Sequence, residues 1–210
     1  MVYLLVAVAG AACLAFALIA GGIFGIDPAL FYRDAVAAFS KTFVIGWLSN
    51  LGGALWFGSA AVLLFTASLL AGPERPPLLV FGALTLVLGI DDVFLLHEGV
   101  LPFLGLPGEL LVAAYGIGLV VWLFYWRDAN ARSRWGLLVA AAFCLGLSVG
   151  LDLAYEYLGL ASRAVLVAED AIKLTGIMFW AAYGVGFAFS AATRALSAAG
   201  PGARLEPAPA

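Results

Sequence analysis

From Thr42 to Ala71 the chain runs without a single Asp, Glu, Lys or Arg, longer than the roughly 20 apolar residues that carry a helix across the hydrocarbon core of a bilayer. Inside that core every backbone N–H and C=O must be satisfied by the chain itself, so a run of this kind folds as a helix. Similar runs recur almost end to end, and the composition follows from them. The sequence is 65% apolar and 11% charged, against about 45–50% and about 25% for a soluble domain. The expected fold is therefore all-α, a polytopic transmembrane helical bundle, with the lipid bilayer as its main partner. A net charge of −3 with ten scattered basic residues excludes nucleic acid, which requires clustered Lys and Arg to displace counterions.

Cutting the runs at charges and at Pro/Gly clusters gives about six spanning helices, at 3–25, 42–71, 77–98, 107–126, 135–158 and 168–194. They form a single transmembrane domain over 1–196, followed by a Gly/Pro/Ala-rich tail, 197–210, that reads as disordered. Residues 27–41 mix aromatic and aliphatic groups with charges at helical spacing, as in a helix lying at the membrane surface. The start Met1-Val2-Tyr3-Leu4 lacks a basic region and reads as a retained helix, not a cleaved signal. Cys13 and Cys144 sit alone in apolar runs and imply no disulfide framework. Cytoplasmic loops carry the excess of Lys and Arg. An even number of spans, with Arg75, Arg127, Arg132, Arg134, Arg194 and Arg204 on one side against Arg33, Lys41, Arg163 and Lys173 on the other, places both termini in the cytoplasm. The expected location is the cell membrane, the cytoplasmic membrane of a bacterium.

Charge is scarce, yet eight of the thirteen acidic residues fall in one layer at the outer ends of these spans. They are Asp91, Asp92, Glu98, Glu109, Asp152, Glu156, Glu169 and Asp170, joined by His97 and Lys173, with Ser49 and Asn50 at comparable depth. A charge at mid-bilayer costs about 2.5–3.5 kcal/mol on insertion scales, so such groups face partners or a wet cavity and mark function. Helical spacing puts Asp91 and Glu98, seven apart, on one face, and pairs Asp152 with Glu156 and Glu169 with Lys173 at i, i+4. Asp92 and His97 fall off the Asp91/Glu98 face unless the helix is irregular near Gly89 or Gly99. Plainer readings stand beside these. Glu109, Glu169 and Asp170 suit the first turn of a helix, Glu156 and the His97-Glu98 pair suit a membrane border, and Asp91, Asp92 and Asp152 suit a structural polar network. Lys173 is expected to pair with Glu169 and Asp170 in preference to snorkelling outward.

The segment Asp91-Asp92-Val93-Phe94-Leu95-Leu96-His97-Glu98 resembles a motif of uncharacterised bacterial multi-pass membrane proteins: an acidic pair, four residues, then His-Glu at the end of a span. Glu169-Asp170-Ala171-Ile172-Lys173-Leu174-Thr175-Gly176-Ile177 and Trp47-Leu48-Ser49-Asn50 resemble the later and earlier segments of that pattern. The resemblance implies a shared site and names no reaction. A looser resemblance, to the alkaline ceramidase group of membrane hydrolases, implies a zinc site of three histidines. With one His in the whole chain, that site cannot form here, and a carboxylate-rich set would suit Mn²⁺, Fe²⁺, Mg²⁺ or Ca²⁺.

The resulting expectation is that Asp91, Glu98, Asp152 and Glu169 converge on one cavity that binds a cation or a polar head group, with His97 as an extra ligand or proton acceptor. Asp91, His97, Glu98, Asp152 and Glu169 are the candidate ligands of a divalent metal ion. In a metal-dependent hydrolase acting on a lipid-like substrate, His97, Asp91 or Asp152 would be catalytic. A proton- or cation-coupled transporter or channel component uses the same groups differently, and a structural membrane subunit, self-associating or not, needs none of them. No nucleophile elbow, P-loop or Cys motif decides whether the chain is an enzyme.

Overall fold

Proline and glycine set the borders of the helices. In the computed structural model, which describes residues 15, 16, 18–27, 46–131, 133–158 and 163–199, five long helices follow one another: α1 (Trp47–Leu69), α2 (Arg75–Phe94), α3 (Glu109–Tyr125), α4 (Trp135–Leu158) and α5 (Arg163–Ala199). Gly72 turns the chain out of α1 with φ +73°, and Pro76-Pro77 occupy the first turn of α2, where a missing N–H costs nothing. Short pieces fill the joints: a 3-10 turn at Gly72–Glu74, a π-helical turn at Leu96–Val100, and single turns at Leu101–Phe103 and Arg127–Ala131. Among the described residues every regular element is helical. Four stretches are long and apolar enough to cross a bilayer, Trp47–Leu69, Gly72–Phe94, Trp135–Ala154 and Val167–Ala198, while Glu109–Tyr125 is apolar but shorter.

Two compact units make up the chain, Met1–Trp47 and Leu48–Ala210. In the first, residues 18–24 are helical. The rest of the first expected span and nearly all of the expected surface helix at 27–41 lie outside the described residues, as do 200–210 of the tail. Several borders differ from the sequence reading, among them both ends of α5, whose last turn takes in 197–199 of the expected tail, and the end of α2. α5 begins at Arg163 and runs to Ala199, because Arg163 to Val167 contains no Gly or Pro to hold it off. α2 stops at Phe94, four residues before the expected end at Glu98, for a reason that lies in the site described below.

Within the second unit, α2 and α5 are antiparallel and tied at both ends. Glu74, just before α2, forms a two-pronged ion pair with Arg194, Nε to Oε1 at 2.9 Å and Nη2 to Oε2 at 2.8 Å. At the other end Lys173 Nζ lies 2.7 Å from Asp92 Oδ1. The roughly 18 residues between Glu74 and Asp92 rise about 27 Å at ~1.5 Å each, close to the ~30 Å hydrocarbon thickness of a bilayer. The two ion pairs are thus separated by close to one bilayer thickness.

An aromatic column fills the space between them. Phe81 stacks on Trp180 with ring centroids 4.9 Å apart and tilts against Trp122 at 4.5 Å. Trp56 meets Trp180 edge-on, and Tyr183 stacks on Phe187. Polar atoms on these rings are mostly answered within the core, Trp122 Nε1 donating to the Pro77 carbonyl and Trp180 Nε1 to Thr85 Oγ1. Small residues bring the backbones close: a Cβ on Gly89 would come within 2.8 Å of Trp56, and one on Gly176 within 2.9 Å of Leu145. Close approach at glycine is the usual way that helices without a hydrophobic driving force gain contact in lipid.

Candidate functional site

α2 ends in a manner that its sequence does not ask for. Nothing in Val93-Phe94-Leu95-Leu96 breaks a helix, yet Leu95 stands in the left-handed region at φ 52°, ψ 46°, with its N–H on the Asp91 carbonyl. Glycine usually occupies that position, and a leucine there costs about 1–2 kcal/mol. The chain then restarts as the π-helical turn Leu96–Val100, a form found frequently at functional sites. The Asp91 carboxylate closes the break. Its Oδ1 accepts the His97 backbone N–H at 2.8 Å, and its Oδ2 lies 2.7 Å from His97 Nδ1. A hydrogen bond to a charged group contributes about 1.5–3 kcal/mol, so the two together offset the strain at Leu95.

This geometry corrects the expected face. Asp91 and Glu98 do not share a regular helix; the break carries His97 round to Asp91, and Glu98 follows on the far side of the imidazole, 3.4 Å from Nε2. Exposure rises along this chain of contacts, with the Asp91 side chain 5% exposed, His97 22% and Glu98 46%. Both ring nitrogens face carboxylates, and only the imidazolium form donates to both at once.

Lys173 completes the cluster from α5. Its ammonium contacts Asp92 at 2.7 Å and Glu98 at 3.8 Å. Its close partners are thus on the α2 side, whereas Glu169, one turn earlier on its own helix, is a more distant charged neighbour. Gly52 of α1 makes room here: a Cβ would meet Ile177 at 3.3 Å and lie 3.9 Å from Asp92 Oδ2.

The remaining candidates are distributed around this core. Glu169 accepts a hydrogen bond from the buried Ser148 at 2.8 Å, joining α4 to α5, and has Asp170 and Asp152 as charged neighbours. Asp152 and Asp170 are exposed, as are Glu109 in the first turn of α3 and Ser49 and Asn50 in the first turn of α1. Glu156 belongs to α4, and its side chain lies outside the described set. The structure thus brings together Asp91, Asp92, His97, Glu98 and Lys173 as one contact network, with Ser148 and Glu169 as a second pair. Among the described residues no three His, Cys, Asp or Glu side chains gather as metal ligands, so the expected metal set is not assembled; the positive charge in contact with Asp92 and Glu98 is the lysine's own.

Three residues of the site carry no signal that a sequence pattern could have raised. Leu95 reads as an ordinary apolar helix residue. Tyr115 of α3 turns a buried hydroxyl toward the Asp91 carboxylate. Gly108, ahead of α3, packs so closely on the His97 carbonyl that any Cβ would collide with it; the Pro107-Gly108 dipeptide marks a turn without showing what it touches.

A family model, Domain of unknown function (DUF8692), matches residues 1–187, and the chain belongs to that family. No curated protein and no solved structure matches it.

Proposed function

We propose that this chain is a six-span protein of the cytoplasmic membrane, bacterial in type, whose acidic end faces outward and binds a small cation or the cationic head group of a lipid beside His97. The observation that carries the reading is the position of Glu98. It is a half-exposed carboxylate shared between His97 and Lys173, at the rim of a layer where Asp152 and Asp170 are also exposed. Acids here outnumber the two basic groups, and the surplus favours an incoming positive charge. The basic residues Arg75, Arg127, Arg134 and Arg194 lie toward the opposite end of the described helices, which supports a cytoplasmic assignment for that end.

Passage of a cation through the membrane is a second reading, favoured by the break in α2, since transporters build ion sites at interrupted helices. Those sites lie near the bilayer midplane, whereas this break follows a full-length α2 at one edge. Depth therefore favours binding at the surface. The metal-dependent hydrolase acting on a lipid-like substrate would need donors beyond those gathered among the described residues, and the cation-binding reading needs none.

The test is thermal unfolding of the purified protein in detergent, titrated separately with Mn²⁺, Ca²⁺, ethanolamine and choline. At least one should raise the midpoint in a saturable way, and Glu98→Gln should weaken that response by about tenfold, ~1.4 kcal/mol. A flat response of the unmodified protein to all four contradicts the reading.

A further inference from the structure

The residues from Leu95 to Val100 occupy a conformation held from outside rather than encoded locally. Leu95 is in the left-handed region without being Gly or Asn, the four residues around it are helix-compatible, and the first stop signals of the sequence come only at Gly99 and Pro102. A regular helix could thus continue from α2 through Glu98. What prevents it is the Asp91 carboxylate, which takes the His97 N–H that would otherwise bond to the Val93 carbonyl. That carboxylate also holds the His97 ring, and the His97 carbonyl is seated against Gly108, where no side chain could fit.

We infer that Leu95–Val100 is a two-state latch, closed in the structure by Asp91 and open as a continuous extension of α2. In the open state six residues of helix turn His97 about 120° away from Asp91, and Glu98, seven residues on, shares the Asp91 face. Glu98 then leaves His97 and stands with Asp91 as a pair of carboxylates with no resident cation between them. The closed state withholds that pair by giving Asp91 to His97 and Glu98 to Lys173. The latch regulates the cation site proposed above and rests on that reading for its purpose, but its two states are measurable without any ligand.

Spin labels at Val87 and Val100, both partly exposed, read the two states on a background of Cys13→Ser and Cys144→Ser. A straight helix would set their backbones about 20 Å apart along its axis at ~1.5 Å per residue, and the closed turn shortens the separation. The unmodified segment should give the shorter distance as its main component. Asp91→Ala should convert the longer one from minor to major, His97→Ala should do so in part, and Leu95→Gly added to Asp91→Ala should restore the shorter distance, because glycine relieves the left-handed position. A distance unchanged by Asp91→Ala in protein that still unfolds cooperatively overturns the latch. The same variants titrated with Mn²⁺ and choline separate the two claims. If distances shift while no variant binds either probe, the latch stands and the cation site falls; if distances do not shift, the latch falls whatever binds.

Discussion

The two ends of the α2/α5 pair solve similar problems in different ways. At the Glu74 end the chain enters α2 through a left-handed Gly72; at the Asp91 end it leaves α2 through a left-handed Leu95. At the Glu74 end the buried and half-buried polar groups named here answer one another. Arg194 meets both oxygens of Glu74, and Tyr183 donates to Asn130 Oδ1 at 2.6 Å while Ser133 donates to the Asn130 carbonyl. At the Asp91 end carboxylates outnumber basic groups, Glu98 is divided between His97 and Lys173, and Tyr115 turns a buried hydroxyl toward Asp91. Each end carries surplus charge, basic at one and acidic at the other. What sets the Asp91 end apart is a non-glycine residue held in the left-handed region by a buried carboxylate, and strain held in this way distinguishes a site from a scaffold.

If that division is right, damage at the two ends should differ in kind. The largest loss of stability is expected from Arg194→Met, which removes the two-pronged contact to the half-buried Glu74: about 2 kcal/mol, between the values for exposed and fully buried pairs. It should lower the unfolding midpoint in detergent without altering the response to Mn²⁺ or choline. The two left-handed positions should then respond with opposite sign. Gly72→Ala should destabilise and Leu95→Gly should stabilise, each by about 1 kcal/mol, as read from the same unfolding midpoints; a destabilising Leu95→Gly would mean that the helix runs straight through. The smallest effect on stability is expected at Glu98→Gln, where exposure and solvent screening hold the loss to a few tenths of a kcal/mol, ~0.5 at most. There the binding response should fall while the midpoint barely moves. Equal effects of Arg194→Met and Glu98→Gln on binding would erase the distinction between the ends.

How far the sequence foretells each end follows the same physics. Apolar runs and Pro/Gly borders announce the helices, since membrane insertion depends on length and composition. The crowding of acids among Asp91, Asp92, His97 and Glu98 likewise announces where the site lies. Its internal pairing is not legible, because helical periodicity assumes an unbroken helix and so assigns Glu98, not His97, to Asp91. The break depends on a hydrogen bond six residues long from Asp91 to the His97 backbone, which no residue at Leu95 advertises. Lys173 illustrates a second limit. Its neighbours along the chain, Glu169 and Asp170, are visible in the sequence, but Asp92 and Glu98 reach it only through the packing of α5 on α2. The joining of Glu74 to Arg194 is hidden for the same reason, although both residues stand in plain sight at helix ends.

Because the chain contains one histidine, its imidazole can be observed without assignment ambiguity. In protein labelled with ¹⁵N-histidine, the neutral ring should carry its proton on Nδ1, donated to Asp91, with Nε2 left open toward the Glu98 side. Asp91→Asn should shift the Nδ1 resonance and loosen that preference. A ring that carries its proton on Nε2, or averages rapidly between the two nitrogens and ignores Asp91→Asn, would contradict the claim that a buried carboxylate holds His97 at the centre of the site.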